Sequence, residues 1–97
     1  MAPLVAALQD ESQLDSVVCV TGQHRQMLDQ VLALFDLRAQ HDLDVMVSNQ
    51  TLNGLYARLI SRVDEVLATE QPDYVLVHGD TSTASACALA AFHRRVR

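Results

Sequence analysis

Residues 73–83 read Asp73-Tyr74-Val75-Leu76-Val77-His78-Gly79-Asp80-Thr81-Ser82-Thr83, and their order decides the fold. Tyr74 to Val77 are apolar on both parities, as in a strand covered on both faces of a sheet. Gly79 then punctuates the chain, and the stretch from Thr81 to Phe92 follows as a helix rich in Ala and Ser. Such small side chains let a helix approach a sheet closely.

The same order of strand, glycine turn and helix occurs earlier in the chain. Residues 16–21, Ser-Val-Val-Cys-Val-Thr, form a short β-branched apolar run that reads as a strand covered on both sides and ends at Gly22. From His24 to Phe35 the apolar positions Met27, Leu28, Val31, Leu32 and Phe35 fall at three-four spacing, which predicts a helix. Residues 41–47 are ambiguous, although the alternation of Leu43, Val45 and Val47 suits a short strand facing one side. The cleanest amphipathic helix runs through Leu52, Leu55, Tyr56, Leu59, Ile60, Val63, Val66 and Leu67, with Thr51 as its cap and Pro72 closing it. Near the start, Leu4, Val5 and Leu8 share a helical face, and Pro3 suits a first helical turn. Strands alternating with helices predict an α/β fold: a partial Rossmann-like parallel sheet in a layer sandwich, with right-handed crossovers. Folds of this kind usually begin with a strand, whereas this chain opens in a helix. A first strand is therefore expected outside residues 1–97.

Length and charge bound what such a domain can do. The chain has 97 residues, with seven basic and twelve acidic side chains, so its formal net charge is 7 − 12 = −5. A chain of this size buries roughly 60–65% of its unfolded surface, enough for one core but not for a two-domain enzyme. Hydrophobic residues make up 49%, which excludes the low-hydrophobicity signature of disorder. The acidic balance argues against a domain that coats nucleic acid or anionic membrane with positive charge, while a local basic pocket for a small anion stays compatible with it. Cys19 and Cys87 stand far apart, fitting neither a disulfide framework nor a zinc knuckle, and read as small buried hydrophobes in a reducing compartment. Residues 1–11 lack the basic start and long apolar stretch of a signal peptide, and no window approaches a membrane span. A cytoplasmic protein is expected.

Neither G-x-G-x-x-G nor G-x-x-x-x-G-K-[ST] occurs, so no dinucleotide-binding or P-loop motif is present. Open parallel sheets bind ligands outside the carboxyl ends of their strands, here residues 21–25 and 78–82. In the second turn Asp80 or Thr81 is an ordinary helix N-cap, or else the Asp80 carboxylate transfers a proton or orients a sugar hydroxyl. His78 reads as a histidine satisfied by hydrogen bonds, and its closeness to Asp80 and Ser82 in sequence does not make a triad. In the first turn Gln23, His24, Arg25 and Gln26 open a helix, either as a solvated first turn or as an anion contact. His41 and His93 show no metal-ligand spacing, so no metal is expected.

Two segments carry a family resemblance: residues 18–32, Val-Cys-Val-Thr-Gly-Gln-His-Arg-Gln-Met-Leu-Asp-Gln-Val-Leu, and residues 73–83 with Ala90-Ala91-Phe92 after them. Together they resemble the N-terminal domain of the bacterial UDP-N-acetylglucosamine 2-epimerases of the non-hydrolysing type, in register from Met1-Ala2-Pro3 to the last helix. The resemblance implies a fragment of the N-terminal half of a GT-B-type fold, without its first strand and without the C-terminal, UDP-binding domain. It implies interconversion of UDP-N-acetylglucosamine and UDP-N-acetylmannosamine: the C2 proton is removed as UDP leaves, giving a 2-acetamidoglucal, and UDP adds back after reprotonation on the other face.

Asp80 matches the family's active-site aspartate, implying a catalytic and substrate-binding role. Gln23, Gln26 and Gln50 match positions that hold a second, regulatory UDP-N-acetylglucosamine in some members, and Asn49 stands where such members carry an arginine. The resemblance implies no cofactor, and a homodimer as the family's assembly. Residues 1–97 alone lack the rest of the acid/base and pyrophosphate groups, so the expectation is an inactive fragment prone to self-association. The alternatives are a nucleotide-sugar-binding or interaction module, or part of a hydrolysing epimerase or another GT-B enzyme.

Overall fold

The computed structural model describes residues 1–22, the backbone of Arg25, and residues 26–97. By internal contact the chain divides into two units, Met1–Asp44 and Val45–Arg97. Each has its own architecture.

The first unit contains α1 (Ala2–Gln9), β1 (Cys19–Val20), α2 (Arg25–Leu34) and β2 (His41–Asp42). Pro3 lies in the first turn of α1, where its missing N–H leaves no helical bond unmade. β1 and β2 pair in parallel, Cys19 opposite His41 and Val20 opposite Asp42, as the strand–helix–strand reading requires. The ladder is shorter than the predicted run of residues 16–21, because among the described residues backbone partners meet it only from Val18 onward. There the Gln40 and His41 N–H groups donate to the Val18 carbonyl at 2.9 and 3.2 Å, and the Leu43 N–H donates to Val20 at 2.8 Å. At Val18 a side chain substitutes for a strand: its N–H donates to Gln40 Oε1 at 2.7 Å.

Burial in this unit departs from the sequence reading. Val20 and Thr21 are buried, but Val17 and Cys19 are exposed, so the run is not covered on both sides. Cys19 is thus exposed rather than a buried hydrophobe, while Cys87 is half-buried, and neither is in a disulfide. On α2, Leu28 and Leu32 are half-buried, whereas Met27, Val31 and Leu34 turn outward. Three-four periodicity identified the helix and overstated its inward face.

The second unit is built on α3 (Leu52–Glu70) packed against α4 (Ser82–His93). Leu55, Leu59, Val63 and Leu67, four residues apart, are the buried stripe of α3. Ala84, Ala86, Ala90 and Ala91 are buried on α4, and Val45 is fully buried before the helices begin. Thr51 caps α3 as predicted, its hydroxyl accepting from the Gly54 N–H at 3.0 Å. Gln71 ends it in the left-handed conformation with φ 47°, just before Pro72.

Residues 74–77 join the helices without entering a ladder among the described residues. The Val75 N–H instead donates to the Arg97 carbonyl at 2.7 Å. Tyr74, Leu76 and Val77 are exposed, so the double-sided cover predicted for this run is not present in the described chain. No helix among the described residues is long and apolar enough to cross a membrane.

Candidate functional site

The turn of residues 78–82 is shaped by Gly79 and by the start of α4. Gly79 has φ +92°, a region that L side chains rarely adopt, although an added Cβ would meet nothing within 4 Å. Glycine is required there for its backbone and not for space. Thr81, with extended φ and ψ, accepts from the Ala84 N–H at 3.3 Å through its hydroxyl and so caps α4. This separates the two sequence readings of the turn: the cap is Thr81, and Asp80 is not used for it. The Asp80 side chain is exposed and makes no hydrogen bond or ion pair among the described residues. His78 is exposed and likewise lacks a hydrogen bond there, so it is not the satisfied histidine expected from sequence.

Chemically, the turn offers a solvent-facing carboxylate one residue before a helix cap. A carboxylate so placed suits a group that accepts a proton or a sugar hydroxyl's hydrogen bond.

Gln50 lies in the same unit but turns back on its own loop. Its Nε2 donates to the Val45 carbonyl at 3.4 Å and lies 3.7 Å from Met46 Sδ. Asn49 before it adopts φ 62°, a left-handed conformation that asparagine tolerates better than most residues. Gln26 is exposed in the first turn of α2. Gln23 and His24, which belong to the predicted polar cluster, lie outside the described residues. Gly22, which ends the first predicted strand, has φ 79°. Among the described residues no three His, Cys, Asp or Glu side chains gather as metal ligands. His41 is in β2, and the His93 ring lies 6.1 Å from that of Phe92 at the end of α4.

Two contacts between α3 and α4 have no counterpart in the sequence reading. Tyr56 Oη and Ser85 Oγ are 2.8 Å apart, and Arg94 engages Asp64 through both Nε and Nη2, the latter at 3.2 Å from Oδ2. The hydrogen bond from Arg94 chiefly holds the Asp64 carboxyl below its usual range and in turn raises Arg94. Sequence separations of 29 and 30 residues give no local signal for these pairs.

Comparison with known proteins places this geometry. A relative from Neisseria meningitidis bearing the name UDP-N-acetylglucosamine 2-epimerase is 48% identical over 96 residues, covering 99% of this chain and 26% of its own. The crystal structure of UDP-GlcNAc 2-epimerase from Neisseria meningitidis bound to UDP-GlcNAc superposes with a TM-score of 0.94 at 48% identity, over 99% of this chain and 26% of that one. The Staphylococcus aureus MnaA–UDP co-structure also gives a TM-score of 0.94 at 48% identity, over 99% of this chain and 25% of that one. The chain therefore spans about a quarter of the length of the curated relatives it matches. Its α/β architecture is that of the corresponding part of these GT-B-like enzymes. The profile of the UDP-N-acetylglucosamine 2-epimerases matches residues 6–97, both strand-end turns included, and the chain belongs to that family.

Proposed function

We propose that this chain is a partial N-terminal Rossmann-like domain supplying one carboxylate, Asp80, to the interconversion of UDP-N-acetylglucosamine and UDP-N-acetylmannosamine. The observation that carries the reading is the division of roles in the turn: Thr81 caps α4 and the Asp80 carboxylate stays exposed and unengaged. In the proposed reaction a base takes the C2 proton while the C1–O bond to UDP breaks, leaving a C1=C2 double bond in 2-acetamidoglucal. Reprotonation of C2 from the opposite face and return of UDP to C1 complete the inversion. Asp80 binds the sugar and takes part in proton transfer, while the groups that receive the pyrophosphate lie outside these 97 residues. No cofactor is invoked, and two cysteines that form no disulfide with each other are in keeping with a reducing, cytoplasmic setting.

The test is direct. UDP-N-acetylglucosamine titrated into the isotope-labelled chain should shift the amides of Gly79, Asp80 and Thr81, and Asp80→Asn should abolish those shifts. In heavy water the chain alone should leave C2 free of deuterium; enzyme-dependent exchange would overturn the claim that it is inactive by itself.

From the family resemblance, a second, regulatory nucleotide-sugar site is also proposed, with Gln23, Gln26 and Gln50 each matching one of its positions. The exposure of Gln26 supports it. Loss of a second binding phase in Gln26→Ala is the expected result. The runner-up reading is an interaction module. Tyr74, 63% exposed, with exposed Leu76 and Val77 in a run without a ladder, favours self-association, homodimeric or of higher order. A monodisperse monomer in analytical ultracentrifugation would count against it, and the hydrolysing or other GT-B reactions are separated by product analysis.

A further inference from the structure

The buried face of α4 consists of Ala84, Ala86, Ala90 and Ala91. Methyl groups make shallow ridges, so such a face resists axial sliding on a neighbouring helix less than longer side chains would. Two polar contacts supply what the methyl groups do not. Tyr56 Oη meets Ser85 Oγ at 2.8 Å near the start of both helices, and Arg94 meets Asp64 further along. Tyr56 and Asp64 are eight residues apart and Ser85 and Arg94 nine, so at about 1.5 Å per residue the pins lie about 12 Å apart along α3 and about 13 Å apart from Ser85 to Arg94, the residue that follows α4. Both close together in one register. A slip of one helical turn, about 5.4 Å, would carry the 2.8 Å contact out of hydrogen-bond range.

Ser85 follows Asp80 by five residues, and its N–H donates to the Thr81 carbonyl at 3.1 Å. The end of α4 gripped by Tyr56 is therefore the end that carries the Asp80 turn. We propose that Tyr56 and Ser85 are positioning residues for Asp80: their hydrogen bond, with Asp64–Arg94 as the second pin, fixes α4 on α3 and hence the point at which the turn presents its carboxylate. The proposal rests on the sugar-binding reading of Asp80 given above.

The experiment uses the whole 97-residue chain, comparing wild type with Tyr56→Phe, Ser85→Ala and Ser85→Thr. Tyr56→Phe keeps the ring and removes only the hydroxyl. Expected are changed residual dipolar couplings at Gly79, Asp80 and Thr81, about two- to ten-fold faster amide exchange in the first turns of α4, and several-fold weaker UDP-N-acetylglucosamine binding. Ser85→Thr, which keeps the hydroxyl, should restore all three. A merely stabilising pair would lower the unfolding midpoint while leaving the couplings and the affinity as in wild type, and that result overturns the proposal. If the wild-type chain gives no shifts with the nucleotide sugar, the reading of Asp80 fails separately, and the couplings alone decide the positioning.

Discussion

Replacing Leu59 by alanine tests the seam on which the second unit depends. Leu59 is 0% exposed at the middle of the buried stripe of α3. Leu→Ala removes three carbons, about 2.4 kcal/mol of transfer free energy at about 0.8 kcal/mol each. The cavity that remains adds to this, giving about 3–4 kcal/mol within the roughly 2–5 kcal/mol seen for such substitutions. Against a total stability of about 5–15 kcal/mol for a small domain, this is a large fraction. Urea unfolding followed by helical circular dichroism should show the midpoint lowered by roughly 2 M, taking a slope of about 1.5 kcal/mol/M. Leu52→Ala, at a residue 68% exposed on the same helix, is the matched control and should stay within about 0.5 kcal/mol of wild type. Equal effects of the two substitutions would refute the assignment of the α3 stripe as the core.

Three further outcomes are expected. Thr81→Ala should cost about 1 kcal/mol through loss of the cap, with Thr81→Ser close to wild type; an unchanged unfolding midpoint in the alanine variant would show that the hydroxyl bond to Ala84 contributes nothing. Asp64 is held below its ordinary value of 3.8, chiefly by the hydrogen bond from Arg94, so the unfolded chain takes up the proton first as pH falls. The stabilisation it gives is therefore present above about pH 4 and lost in more acid solution, and the midpoint difference between wild type and Asp64→Asn should vanish there; a difference that persists below the folded pKa would contradict the pairing. Burial raises the Cys87 thiol while Cys19 is exposed, so iodoacetamide at about pH 8 should label Cys19 first, and mass spectrometry of peptides showing equal rates would count against that ordering.

The element order was legible because each helix carries its own punctuation. Thr51 and Thr81 stand three residues before the N–H they accept from, Pro3 sits in a first turn, and Gln71 and Pro72 close α3. Strand extent was less legible, since a ladder needs a partner and local pattern does not specify one. The apolar run at 16–21 pairs only where Gln40 to Leu43 reaches it, and the run at 74–77 touches Arg97 through a single backbone bond. Periodicity likewise placed Met27 and Val31 inside when they face out. At the turn, sequence pattern left the choice between Asp80 and Thr81 open, because both are good capping residues and only the Thr81 hydroxyl geometry distinguishes them. The Tyr56–Ser85 and Asp64–Arg94 contacts could not be read at all, since they depend on how two helices far apart in sequence lie together.

The capping of α4 by Thr81 also makes residue 80 dispensable for folding. A residue that satisfies no backbone group and fills no space can be exchanged for its isosteric amide without the scaffold registering the change. Asp80→Asn thus removes the charge and keeps the shape, so that a loss of nucleotide-sugar binding in that variant reports on the carboxylate and not on the scaffold.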